Sequence, residues 1–291
     1  MSSPTDRPFR SALYVPASNS KALAKAATLA CDAVIVDLED AVAPDEKAAA
    51  RDNLKSWFGT RAAKPTTTII RINALSSEWG ADDLVLARSV EPDGILLPKV
   101  DTPRDILEAG DVLDDEAVPD TVKLWAMVET PKAMLNLGAI AELGRDPASR
   151  LAGLVAGTND LAKDTGVLVT SDRRYLLPWL MQIVLAARAG GLLALDGVMN
   201  EFRDLEAFGR ECAEGAGMGF DGKTLIHPAQ IEPANKAFSP SDTALAEARA
   251  IVEAFAQAEN AGKGVISLDG RMVERLHLAQ AERLLSRAAW A

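Results

Sequence analysis

Two apolar runs of this chain each deliver a carboxylate: LWAMVETP (124–131) leads into Glu129, and LAGLVAGTND (151–160) into Asp160. Acids at two neighbouring strand ends suit Mg²⁺, a hard cation that takes one or two protein carboxylates and leaves its other positions to water and substrate oxygens. The competing reading makes Glu129 and Asp160 caps of the helices that follow, because acids are favoured at helix N-termini.

Other polar residues close other apolar runs: Tyr14, then Asp37, Glu39 and Asp40, then Arg71 and Asn73, Lys99, Asn159, Asp196 and His227. Gathering ionisable groups around one mouth costs desolvation energy that fold maintenance does not require, so an active site is expected there. Arg71, a planar cation in the run IIRIN (69–73), suits a substrate carboxylate or a carbonyl oxygen gaining negative charge. Its other use is a salt bridge to an acid of DLED (37–40). Lys99 admits the same two uses. Asp37, Glu39 and Asp40 are too crowded with like charge to stand unpaired; they are assigned to hydrogen bonds with metal-held waters or to neutralising Arg71 and Lys99. Asn159, beside Asp160, is a candidate substrate contact. His227, before Pro228, is read as structural rather than as a general base, and His277 as a surface or packing residue.

The elements that must hold these residues alternate along the chain, short β-branched runs with longer Ala-rich amphipathic stretches, the pattern of repeated βα units around a parallel sheet. Strands are expected over 11–15, 33–37, 67–72, 94–99, 124–129, 151–156, 192–196 and 223–226. These make eight units spaced as a (β/α)₈ TIM barrel requires, with a doubly wound sheet as the alternative. Helices are clearest over 20–29 and 242–259, where apolar residues recur at three- and four-residue spacing. In a barrel the chemistry sits at the C-terminal strand ends, where the polar residues above fall. After NAGKG (260–264) come a strand-like piece through Leu268, a turn at Asp269-Gly270 and a final helix from about Arg271. The α/β chain is therefore divided into a catalytic barrel over 1–259 and a C-terminal helical appendage over 260–291. The appendage exceeds what barrel closure needs; it is read as a packing helix or as an arm that covers an active site, of this subunit or a neighbour.

With 291 residues, 48% hydrophobic and 25% charged, the chain can bury the core of one large α/β domain. Its net charge of −11, with 31 Lys and Arg dispersed among 42 acids, argues against the basic stripe that nucleic acid requires. No apolar run is long enough to span a bilayer, and the start MSSPTD is too polar for a signal peptide. A cytoplasmic location with no membrane or nucleic-acid partner is expected. Cys31 and Cys212 stand far apart without metal-ligand spacing, as in a reducing compartment.

Several motifs recur in a characteristic order: RSALYVP (10–16), DLEDAV (37–42), RIN (71–73), LPKV (97–100), ET (129–130) and GKTLIHP (222–228). Through them the chain resembles, nearly end to end, the citrate lyase β-subunit-like (HpcH/HpaI aldolase/citrate lyase) family of CoA-ester lyases, which includes malyl-CoA and citramalyl-CoA lyases. The resemblance implies a barrel in which Glu129 and Asp160 bind Mg²⁺, Arg71 faces the thioester carbonyl, and Tyr14 and Lys25 lie along the path of CoA. It also implies a homo-oligomer, trimer or hexamer, whose C-terminal appendage reaches over a neighbouring barrel with a catalytic Asp in a Met-Val-Asp motif. Here the segment reads Met272-Val273-Glu274. The extra methylene moves the carboxyl by roughly the ångström that matters in proton transfer. GTNDLAK (157–163) and GMGFDGK (217–223) are most similar to the malyl-CoA thioesterase branch. With Glu274, they favour hydrolysis of a short 3-hydroxy-diacyl-CoA thioester to malate and CoA. The alternatives are C–C cleavage of malyl-, methylmalyl- or citramalyl-CoA to an acyl-CoA and a 2-oxoacid, and a carrier-dependent citrate lyase β subunit.

Overall fold

The structure is a computed structural model that describes residues 8–60 and 66–288. Strands β1 (Ser11–Pro16), β2 (Ala33–Asp37), β3 (Thr67–Arg71), β4 (Gly94–Leu97), β5 (Lys123–Val128), β6 (Leu151–Ala156), β7 (Leu193–Asp196) and β8 (Gly222–Leu225) run parallel, each hydrogen-bonded to the next. The sheet closes where Ser11, Ala12 and Leu13 pair with Lys223, Thr224 and Leu225. That closure makes the fold the expected (β/α)₈ barrel and removes the doubly wound alternative, which keeps two free edges. Between the strands lie α1 (Ser20–Ala26), α2 (Lys47–Thr60), α3 (Gly80–Val90), α4 (Pro103–Asp115), α5 (Pro131–Glu142), α6 (Thr158–Thr165), α7 (Leu177–Gly190) and α8 (Leu205–Met218), with α9 (Ile231–Phe238) after β8.

Alternation along the strands decides what reaches the interior and its mouth. Ala12, Ala33, Ile35, Ile69, Leu96, Trp125, Met127, Val155, Leu193 and Leu195 pack with Phe9 in one cluster. Two positions on from Ala12, Ile35, Ile69 and Met127 stand Tyr14, Asp37, Arg71 and Glu129. The same period that fills the barrel thus carries these four to its C-terminal end. The ring of Trp125 fits because β6 has Gly153 against it; a Cβ there would lie 2.3 Å from the ring.

The chain forms two compact units, Phe9–Lys236 and a second from Ala237 onward. In the second, α10 (Asp242–Ala256) packs on α11 (Arg275–Ala288). Between them, β9 (Val265–Leu268) and β10 (Arg271–Glu274) pair antiparallel. Asp269 and Gly270, with φ of 50° and 75°, supply the left-handed turn that a two-residue hairpin connection needs. This hairpin corrects the expected helix start near Arg271: its second strand takes Arg271–Glu274, and α11 begins at Arg275. The helix expected over 242–259 ends at Ala256 because Gln257 is extended. Since α10 packs on α11, the division falls after Lys236 rather than after 259. No helix among the described residues is long and apolar enough to cross a membrane.

Candidate active site

The helix after β5 is capped by Thr130, whose hydroxyl accepts the Ala133 N–H at 3.0 Å. Glu129 precedes that cap, and its Oε1 accepts the Lys99 N–H at 2.6 Å. The backbone of Gly157 makes room for it: a Cβ there would lie 2.3 Å from Glu129 Cβ and 2.7 Å from Oε2. Asp160 sits in the first turn of α6, whose N-cap is Gly157. Its Oδ1 accepts Lys163 Nζ at 2.8 Å and faces Lys99 Nζ at 3.5 Å. These partners draw both carboxylates away from the capping role.

Arg71 is held from β2. Asp37 accepts its Nε at 2.7 Å and its Nη2 at 2.6 Å. The same carboxylate accepts the N–H groups of Glu39 (2.9 Å) and Ala41 (3.2 Å), so it fixes both the guanidinium and the loop after β2. The Tyr14 ring lies 4.9 Å from the guanidinium carbon, and the Tyr14 hydroxyl faces Met127 Sδ at 3.9 Å. Nη1, the arm not bonded to Asp37, lies 2.7 Å from Glu39 Oε2 and 3.6 Å from Asp40 Oδ2. Its approach to Glu39 is off the N–H direction, and Oε2 is buried without a hydrogen-bond partner. Burial pushes the Glu39 carboxyl up to about 8 despite Arg71. Burial likewise raises Tyr14 and Glu129. At Asp160 burial acts in the same direction, but the Lys163 hydrogen bond and the Lys99 and Lys163 charges outweigh it, and the pKa falls.

Tyr14, Asp37, Asp40, Arg71, Glu129, Asn159 and Asp160 line one cavity of about 300 Å³, with Met127, Ala156, Val198 and Ile226 as apolar wall. Arg71 is thus ion-paired to an acid of DLED, as one of its expected uses requires, and also lines this cavity. Asn159 exchanges amide hydrogen bonds with Asn200, at 2.9 and 3.2 Å. Lys25 is not brought to this cavity; it is exposed in the last turn of α1. Glu274 ends β10 in the C-terminal unit, where its N–H donates to His277 Nδ1 at 2.9 Å.

Asp37, Glu39, Asp40, Glu129 and Asp160 all pair with Arg71 or Lys99, so carboxylates outnumber the cations they share. Among the described residues, no group of three or more acid, imidazole or thiol side chains is arranged to hold a metal. An all-protein cage is thus missing, while excess negative charge and a buried acid oxygen without a donor are present. That donor set fits Mg²⁺, which binds through few carboxylates and keeps water or substrate oxygens.

One strand-end residue departs from the sequence reading and another follows it. Asp196, one position out of phase with interior Leu195, faces away from the barrel axis and bonds Arg173 at 2.8 Å and Lys223 at 3.0 Å. His227 accepts the Ala229 N–H at 3.1 Å and stacks on Phe202 at 4.7 Å, in keeping with a structural role.

Lys47 is the residue that sequence reasoning misses. It opens α2 directly after Pro44-Asp45-Glu46, where a solvated lysine is the ordinary expectation, yet it is 5% exposed. Its ammonium donates to Leu38 O, Glu39 O and Asn73 Oδ1, each at 2.8 Å. A charge held by neutral acceptors clamps the loop that carries Glu39 and Asp40. Lys47→Met is expected to lower stability by about 1–3 kcal/mol, since buried Asn73 Oδ1 loses its donor while Leu38 O and Glu39 O keep only those from Asn73 Nδ2 and the Val42 N–H. It is also expected to lower kcat more than it raises KM. Urea unfolding and steady-state kinetics check both; a variant as stable and active as the parent would show the clamp to be dispensable.

A family model described as HpcH/HpaI aldolase/citrate lyase matches residues 10–228. A (3S)-malyl-CoA thioesterase of Cereibacter sphaeroides (strain ATCC 17025 / ATH 2.4.3) is 46% identical over 281 residues, spanning 97% of this chain and 95% of that protein. The citrate lyase subunit beta of Escherichia coli (strain K12) is 33% identical, over 97% of this chain and 94% of its own. Among solved structures, the protein CitE from Mycobacterium tuberculosis in complex with magnesium, acetoacetate and coenzyme A aligns with a TM-score of 0.78 at 32% identity. The alignment covers 97% of this chain and 98% of that one.

Proposed function

Because the chain belongs to the HpcH/HpaI aldolase/citrate lyase family of enzymes, we propose that it is a Mg²⁺-dependent enzyme hydrolysing a malyl-CoA-type thioester to malate and CoA. The observation that carries this reading is the near full-length likeness to (3S)-malyl-CoA thioesterases in a chain that keeps Arg71, Glu129 and Asp160 at one cavity.

Glu129 and Asp160 would hold Mg²⁺, which would supply a Lewis-acid charge and an anchor for the oxygens of a hydroxy-diacyl group. Arg71 is locked by Asp37 through Nε and Nη2, while its Nη1, which faces Glu39 Oε2 and donates to Met127 Sδ at 3.8 Å, would turn to stabilise the oxyanion that forms on the thioester carbonyl. Tyr14 and Met127 keep that guanidinium in place against water. Glu274, from its own or a neighbouring subunit, takes a proton from the attacking water. The hydroxyl adds to the acyl carbon, the C–S bond breaks, and the proton passes to the departing CoA sulfur. A cavity of about 300 Å³ is at the small end of ligand sites and suits the acyl group, with Tyr14 in its wall and the CoA body outside it toward Lys25.

The second reading, C–C cleavage to an acyl-CoA and a 2-oxoacid, is favoured by the likeness to citrate lyase subunit beta and uses the same bound complex. Incubation with malyl-CoA and Mg²⁺ separates the two: free malate and CoA are expected, whereas glyoxylate plus acetyl-CoA would establish the lyase. Turnover of a free CoA ester also excludes dependence on a carrier protein. Glu274→Ala is expected to slow malate release by roughly 10²–10⁴-fold, the range for a lost general acid or base. Glu274→Asp is expected to shift products toward glyoxylate and acetyl-CoA. Unchanged rates and products in both variants would remove Glu274 from the mechanism. The same proposal includes a homotrimer or hexamer, to be read by gel filtration, and a cytoplasmic location, which the two separate buried thiols of Cys31 and Cys212 fit.

A further inference from the structure

Lys99 has an unusual place in this site. Its Nζ lies 3.8 Å from Glu39 Oε1, 3.8 Å from Glu129 Oε1 and 3.5 Å from Asp160 Oδ1. The ammonium is centred among three carboxylates at distances longer than the 2.8 Å bonds that Lys47 makes. The acids are fixed, with Glu129 at 1% and Glu39 at 9% side-chain exposure, whereas Lys99 at 41% opens toward solvent. Its backbone is pinned where the stem must overhang the acids: φ is 49°, a left-handed value uncommon for lysine, and Glu129 accepts its N–H. β4 ends two residues earlier, at Leu97, so the side chain is directed toward these carboxylates by this backbone and not by strand phase.

Two cations cannot share these carboxylates without repulsion, because charges a few ångströms apart in a half-buried site are poorly screened. A lysine ammonium is a compact charge on a flexible stem and can leave. We propose that Lys99 is an intramolecular competitor for the divalent cation: it keeps metal affinity low until an anionic substrate arrives, whose carboxylate then takes the displaced ammonium. Metal and substrate thereby bind with positive cooperativity. This rests on the reading of Glu129 and Asp160 as metal ligands and extends it to the order in which the site fills. The coupling is reciprocal, so the carboxylate ligand must bind more tightly in Mg²⁺ by the same factor that it tightens Mg²⁺.

The test is calorimetric titration of the full chain with Mg²⁺, alone and with malate present, with no turnover involved. In the parent protein malate is expected to tighten Mg²⁺ binding by roughly 5-fold or more, within the usual range of such couplings. Lys99→Met is expected to bind Mg²⁺ alone about 10-fold more tightly and to show a smaller malate effect, the remainder being direct contact between malate and the metal. Lys99→Arg, which keeps the charge, is expected to bind Mg²⁺ alone as weakly as the parent, and Lys99→Gln repeats the neutral substitution should the Met variant fold poorly. Neutral variants with parental Mg²⁺ affinity and an intact malate effect overturn the proposal while leaving the metal ligands standing. A parent protein that binds no Mg²⁺, or a Glu129→Gln variant that binds it undiminished, overturns the ligand reading and the competition with it.

Discussion

Glu129→Ala and Asp160→Ala are each expected to abolish turnover, by about 10³-fold or more, in a protein that still folds. The size follows from the chemistry assigned to the pair: a Lewis-acid charge beside a developing oxyanion contributes several kcal/mol, and about 4 kcal/mol corresponds to three orders of magnitude in rate. The fold survives because neither side chain belongs to the interior cluster built on Phe9, Trp125 and Leu195. Glu129 is moreover a buried acid, its pKa raised by burial and then by the nearby Asp160 charge against the opposing pull of Lys99 and Arg71. Its removal relieves like-charge repulsion with Glu39 and Asp160, so the melting temperature in chelator is expected to hold or rise. Thermal melts and Mg²⁺ titrations of both variants check this. Full activity in metal-depleted buffer would end the metal reading, and collapse of the fold would make Glu129 a structural residue.

Arg71→Lys is expected to lose about 10²–10³-fold in kcat, the range for one lost oxyanion donor. Charge is kept, but the geometry is not. Asp37 bonds Nε and Nη2 together, and that two-point grip leaves Nη1 as a third, separately directed nitrogen. One ammonium cannot bond both Asp37 oxygens and also reach a substrate oxygen from a fixed direction. It also loses the guanidinium's contact with the Tyr14 ring at 4.9 Å. The loss should fall mainly on kcat, because a donor that matters most for the transition state leaves substrate binding less affected. A Lys variant with the parental rate would reduce Arg71 to an ion pair of β2 and β3.

How much of this could be read from the chain alone differs from residue to residue. Period-two alternation and the spacing of eight apolar runs pointed to the barrel, which the pairing of β1 with β8 decided over a doubly wound sheet, and to the arrival of Tyr14, Asp37, Arg71 and Glu129 at one end. Those four continue the phase of Ala12, Ile35, Ile69 and Met127, so strand geometry alone places them. The motif resemblance pointed to the family, and the turn chemistry of Asp269-Gly270 was visible although the strand it closes was not.

What the chain could not reveal depends on contacts between segments distant in sequence. Asp196 stands at a strand end like Asp37, yet a single step of phase turns it to Arg173 and Lys223. Whether Glu129 or Thr130 capped α5 was settled by which oxygen meets the Ala133 N–H. Lys47 reads as a surface residue because nothing local records that a long stem can reach back to the carbonyls of Leu38 and Glu39. Lys99 acquires its position from a left-handed backbone held by a carboxylate thirty residues away. Local sequence sets periodicity and turn chemistry. The pairing of buried charges is decided by tertiary structure, because a group removed from water must find its partner wherever the fold brings one.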